Sequence, residues 1–267
     1  MHYKFTFTLI IAFIATTSIS AQSDTLYNQT DSKGLKQGYW KKEYPNKTMM
    51  YKGFFKNGKP LGEMRKYYEN GQLKALMNYD EKNEHVTTKI YYDDGKIAAQ
   101  GIYYLEKKDS IWNYYSYYSG TLIATETYDK GIKNGIEKHF YESGHLSEEI
   151  AWQNNMREGI WNQYFEDGKP KMKSSNSLNK LQGQYSFYYP NGKLYILGSY
   201  VNNKRNGKWI FYDDNGIEKS EIVYNNGKAD NEKEITEKDQ EFFKNVEQNL
   251  GKYQDPSPDD FMPGKGY

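Results

Sequence analysis

The stretch Gly207 to Tyr224, GKWIFYDDNGIEKSEIVY, decides how the whole chain is read. It holds a Gly, a Trp two residues on, aromatics at the fourth and fifth positions after the Gly, an Asn-Gly pair, and an alternating run that closes on Tyr224. Steps of 24 residues back from Gly207 reach Gly183, Gly159 and Gly135; one extra residue leads to Ser110, and the 24-residue step resumes through Val86, Gly62 and Gly38. Eight copies result. Two aromatic columns keep register through them. Five residues after each start stand Tyr67, Tyr91, Tyr115, Phe140, Tyr164, Tyr188 and Tyr212, with Glu43 the exception, and near the end of each copy stand Phe55, Tyr79, Tyr103, Tyr128, Trp152, Tyr200 and Tyr224, failing at Asn176. A fixed period of this length marks an array whose units bury their apolar faces only by stacking on one another.

Each copy divides into a strand rich in aromatic and β-branched residues, a turn, and a second strand with period-two alternation, as in Leu146, Ile150 and Trp152. That pattern predicts a β-hairpin with one buried and one wet face. The inner turns carry Asn70-Gly71, Asp94-Gly95, Ser143-Gly144, Asp167-Gly168, Asn191-Gly192 and Asn215-Gly216, where Gly supplies the positive φ that tight hairpin turns need. The outer connections, such as Asn57-Gly58, Lys130-Gly131 and Asn226-Gly227, carry the same residue types, so hairpin follows hairpin. The first strands alternate less cleanly, and either a bulge or two apolar faces would account for that.

The predicted fold is therefore all-β: an elongated antiparallel meander of about eight 24-residue hairpins over residues 38–230, preceded by an N-terminal cap at 22–37. Gly38, Trp40, Gly62, Gly135, Gly159, Trp161, Gly183, Gly207 and Trp209 are its repeat-defining positions. Residues 231–251 are expected to hold a short helix, with Phe242, Phe243, Val246 and Leu250 on one face of Glu234 to Leu250, and 252–267 a disordered tail. Ala229 to Tyr267 holds 10 acidic and 5 basic residues, which leaves the compensating positive charge on the array.

Met1 to Ala21 has Lys4 ahead of an apolar run, Phe5 to Ala15, and ends in Ser20-Ala21. This is the composition of a secretory signal peptide cleaved after Ala21, implying a secreted or periplasmic protein. The run is too short to span a bilayer, and no transmembrane segment is expected in the mature chain. With 28 Tyr, no Cys, a net charge of +1 and a mean hydropathy of −1.00, the chain is aromatic yet hydrophilic. A near-neutral balance argues against nucleic acid as a partner.

Chemistry is sparse. His139 and His145 flank one turn, and with Ser143-Gly144 as a two-residue loop their cross-strand neighbours are Glu148 and Glu142, an arrangement of surface pairs rather than a metal site. Asp93, Asp94, Asp213 and Asp214 fall at turns, where Asp is favoured for local hydrogen bonding. No catalytic residue, metal site or cofactor is assigned, and the reading is non-enzymatic. The anomaly is Tyr114, Tyr115, Tyr117 and Tyr118 in the copy with the extra residue: not all can face inward on one strand, so this copy is the candidate binding site for a protein partner or, alternatively, a glycan or other envelope component.

The recurring Gly-x-Trp, aromatic pair, Asn-Gly and closing aromatic, best seen at Gly159 to Trp161, Gly183 to Leu194 and Gly207 to Tyr224, resembles the MORN-repeat-variant family, which includes YwqK-like antitoxin proteins. The resemblance covers Gly38 to Lys228. It implies a sheet of side-by-side hairpins acting as an interaction scaffold or an antitoxin or immunity-like module. The export signal directs any such activity to a target outside the cytoplasm.

Overall fold

The computed structural model describes residues 25–230. The signal peptide, the helix over 231–251 and the tail over 252–267 lie outside the described residues. Within them the chain is a single open sheet of 21 strands, several only two residues long, in which each hairpin pairs antiparallel with the next. Among the described residues no helix is long and apolar enough to cross a membrane.

Two kinds of turn alternate along this meander. All but one of the outer turns are two-residue loops with positive φ at both positions, as at Asn154-Asn155 (52° and 64°) and Asn202-Asn203 (52° and 67°), the conformation that matches the twist of the flanking strands; the exception precedes Val86, where Asp80 N–H bonds the His85 carbonyl (3.1 Å). The inner turns are longer than the sequence suggested. Tyr141 N–H donates to the His145 carbonyl (2.9 Å) and Gly144 N–H to the Tyr141 carbonyl (2.8 Å), a three-residue loop with Gly144 left-handed at φ 84°. The two-residue loop expected at Ser143-Gly144 is thereby corrected. The extra loop residue shifts the register: His139 does face Glu148, but Phe140 pairs with Leu146, and His145 lies across from Tyr141, not Glu142.

The same shift falls immediately before the fifth position of all eight hairpins, from Lys42/Glu43 to Phe211/Tyr212. It is the bulge that lets the fourth and fifth residues be aromatic without splitting them between core and solvent. A second irregularity sits at the leading Gly. Asn206 N–H bonds the Ser199 carbonyl (3.0 Å) just before Gly207, whose φ of 72° is costly for any residue with a Cβ. Ser110 occupies the equivalent place with φ 58°, whereas the copy at Val86 follows a longer connection, pairs with its predecessor without a register shift, and has no need of Gly. The departures at Ser110 and Val86 thus have different causes.

The core lies on one face, where the residues two after each start interleave with the closing aromatics. Trp209 stacks on Tyr185 (5.6 Å between centroids) and meets Tyr200 edge-on (5.1 Å), and Trp112 packs likewise on Tyr103 (4.7 Å). Trp112 and Trp209 lie flat on the backbone of Gly101 and Gly198, and their indole N–H groups donate to the carbonyls of Ile102 (3.0 Å) and Ser199 (3.2 Å). The residues five after each start, by contrast, are only half-buried. Two apolar clusters result, one around Val86 to Trp112 and one from Ile150 to Tyr224.

Candidate functional site

Between those clusters the apolar columns are interrupted by charge. Glu137 stands where other copies place Trp161 or Trp209, and Glu126 stands opposite Trp112 in the column of Ile150 and Ile222; both are buried. Lys133 bridges them, with Nζ 2.8 Å from Glu126 and 2.7 Å from Glu137, and lies 4.6 Å from the centre of the Trp152 ring. Glu126 also accepts hydrogen bonds from Tyr114 (2.5 Å) and Tyr128 (2.9 Å), while Lys108 donates to the Tyr114 hydroxyl (2.6 Å). His139 Nε2 is 2.8 Å from Glu137. Burial of this seam would by itself raise the Glu137 carboxyl, but the His139 hydrogen bond and the Lys133 ammonium reverse that and bring it down to about 2. Glu126 is lowered in the same way against its burial, and Lys133 is raised by the two carboxylates against its own. Burial, then the Glu126 charge, pushes the Tyr114 hydroxyl well above its ordinary value.

These shifts carry a pH dependence. With the folded Glu137 carboxyl below its ordinary 4.5, its stabilisation is present above pH 4.5 and is lost as pH falls from there towards 2. Lys133, held above its ordinary 10.5, gives up its share only as pH rises beyond that value. Urea midpoints measured from pH 7 down to pH 3 are expected to fall, and Glu137→Gln to flatten the fall; a parallel decline in the two proteins would remove the seam as its cause.

Of the four tyrosines singled out from sequence, the fold brings Tyr114 into this seam but directs the Tyr115 hydroxyl to Gln100, from whose Nε2 it accepts (2.7 Å). Tyr117 and Tyr118 stand apart from the seam, in the inner turn. Ser116 N–H bonds the Thr121 carbonyl (2.8 Å), so the extra residue of this copy enlarges the loop to four residues and does not bulge the strand. Tyr118 is 87% exposed and Tyr117 43%. Tyr117 packs edge-on against Tyr92 (5.0 Å) and Tyr118 (5.6 Å), and Lys96 Nζ sits 5.5 Å from its centroid while bonding both tyrosine carbonyls (3.0 and 3.3 Å). Glu142 of the next turn braces the loop through Ser116 (2.6 Å), Ser119 and Thr121 (3.0 Å).

This loop interrupts a ladder that sequence reasoning missed. Tyr44, Tyr68, Tyr92, Tyr141 and Tyr189, one residue beyond the fifth-position column, each donate their hydroxyl to a carbonyl of the following copy, at Tyr67, Tyr91, Tyr115, Tyr164 and Tyr212 (2.7 to 2.9 Å). Their shared register was the available signal. In the enlarged loop the equivalent residue is Ser116, and in the Gly159 copy it is Phe165, which lacks the phenolic hydroxyl.

The remaining candidates are local. Asp94 accepts from Lys96 N (3.0 Å), and Asp213 from Asn215 N (3.0 Å) and Ile217 N (2.9 Å), closing their own turns. His145 Nδ1 lies 2.6 Å from the Glu166 carbonyl in the next turn. Among the described residues no group of three or more His, Asp or Glu could hold a metal ion.

Six stretches, 60–81, 84–104, 133–154, 157–175, 181–202 and 205–226, match the profile described as MORN repeat variant. Each is one hairpin of the sheet, and the first hairpin and the enlarged copy are left out. No curated protein matches the chain. Solved structures with some likeness include those titled TcdB2-TccC3 (TM-score 0.22, 10% identity, 73% of this chain and 14% of that one), TcdB2-TccC3-Cdc42 (0.20, 14%, 65% and 10%) and TcdB2-TccC3-TEV (0.17, 13%, 70% and 13%). TM-scores this far below 0.5 establish no common fold, and this chain spans only a small part of those proteins.

Proposed function

Because this chain is a repeat protein of the MORN type, with six copies of the variant repeat in one continuous sheet, we propose that it is a non-enzymatic scaffold that binds another protein. The observation that carries the reading is the enlarged turn, where a regular ladder gives way to two exposed tyrosines on a braced loop. Large aromatic rings are effective contact residues at protein interfaces. Glycan stacking on the same rings has less support, since Tyr117 is already engaged by Tyr92 and Lys96 and only Tyr118 offers an open ring. The composition of Met1 to Ala21 supports a site of action outside the cytoplasm, and an immunity-like role there is the finer form of the proposal.

The test is capture of a partner from envelope and extracellular fractions by the immobilised chain. The double change Tyr117→Ser, Tyr118→Ser is expected to weaken binding of the captured protein at least tenfold, about 1.4 kcal/mol, with the circular dichroism of the parent. Tyr114 and Tyr115 stay untouched because their hydroxyls serve the fold. Unchanged affinity would remove the turn as the site.

A further inference from the structure

A groove of 420 Å³ crosses the face of the sheet opposite the aromatic core. Two rows of side chains line it. Glu63, Asn78, Thr87 and Ile102 are successive cross-strand partners, and so are Leu76, Lys89, Gln100 and Asn113. Neighbours within a row are one strand apart, about 4.8 Å, and the rows lie two residues apart along the strands, about 7 Å.

What separates this groove from the rest of the same face is unused hydrogen-bonding capacity. Among the described residues the side chains of Asn78, Thr87, Lys89 and Asn113 bond to nothing in the chain. Polar counterparts of Asn113 and Asn78 in other copies are engaged. Asn162, in the column of Asn113, donates to Glu149 (3.0 Å); in the column of Asn78, Thr127 donates to the Ile136 carbonyl (3.2 Å) and Ser199 to that of Asn206 (2.7 Å). Gln100 spends its amide nitrogen on Tyr115, which fixes the side chain and leaves its carbonyl oxygen available.

We propose that this groove binds a linear, uncharged oligosaccharide lying across the strands. Amide and hydroxyl groups both donate and accept, which is what sugar hydroxyls require, and a step of one strand is close to the length of one pyranose unit. Leu76 and Ile102 supply apolar surface for the C–H face of a ring. The charges do not select an ion, because Glu63 is already held by Arg65 (2.7 Å) and Lys89 stands without a second cation in the groove. An extended peptide is a poorer match, since the sheet's backbone groups here are spent on strand pairing and offer no edge to extend.

Calorimetric titration of the full chain with cellohexaose and with chitohexaose is expected to show saturable binding of at least one. Asn113→Ala, and separately Asn78→Ala, should weaken it at least tenfold, while Asn162→Ala, the same column in an engaged copy, leaves it unchanged. The Tyr117→Ser, Tyr118→Ser protein should bind the sugar as the parent does, so that failure of the turn and failure of the groove are told apart. Binding of neither sugar, or equal weakening by Asn162→Ala, overturns the proposal, as does competition by an unrelated extended peptide at the same concentration.

Discussion

Lys133→Ala is expected to destabilise the protein by about 4 kcal/mol, more than most changes to its apolar core. The lysine is nearly buried between Glu126 and Glu137, and the latter is 2% exposed. Truncating it removes the one cation that touches both carboxylates and leaves charge in a site that water does not reach. Glu137→Gln should cost less, because Lys133 keeps Glu126 and the amide still meets His139. Urea unfolding at pH 7 measures both. A loss below about 1 kcal/mol for Lys133→Ala, the range of a surface ion pair, would mean the seam is solvated.

Trp209→Ala is expected to cost about 4 kcal/mol, the scale for deleting a large ring from a packed interior. Trp209 is fully buried among Tyr185, Tyr200 and Tyr224. Its partner on the backbone side gives a second way to remove the same contact. A Cβ at Gly198 would lie 2.2 Å from the indole, and the ring has no free direction in which to retreat, so Gly198→Ala should cost about 3 kcal/mol. Gly144→Ala is the comparison: nothing stands near its Cβ, and only the left-handed backbone is penalised, by about 1 to 2 kcal/mol. Equal losses at Gly198 and Gly144 in denaturant melts would show that the indole does not rest on the backbone.

The architecture was legible because its determinants are residue types with few substitutes. A leading Gly in six of the eight copies and an aromatic five residues later in seven recur too regularly to be missed, and the meander follows from them. The turns were not legible, because Asn-Gly serves in both kinds: Asn57-Gly58 is a two-residue outer turn, while Asn215-Gly216 closes a three-residue inner one. The dipeptide states that φ is positive, not how many residues the loop contains, and the bulge follows from that number. The seam escaped for another reason. Glu126, Lys133 and Glu137 look like any charged residues of a wet face until each is placed in its column, where Glu137 falls in line with Trp161 and Trp209. The groove was hidden too, since Asn113 and its counterpart Asn162 are the same residue and differ only in that Asn162 bonds to Glu149.

An array of near-identical hairpins faces a difficulty that a chain of unlike elements does not: one unit can dock on the wrong neighbour and bury almost the same aromatic surface. The carboxylates of the central seam distinguish the neighbours. A hairpin carrying Trp161 or Trp209 set against Glu126 would bring Arg157 or Arg205 to the place of Lys133, but it would part Glu126 from the lysine that also holds Glu137, and leave that second carboxylate on another unit. The seam thus makes one junction of a repetitive chain chemically unlike the others, because a single lysine is shared there by the carboxylates of two successive units.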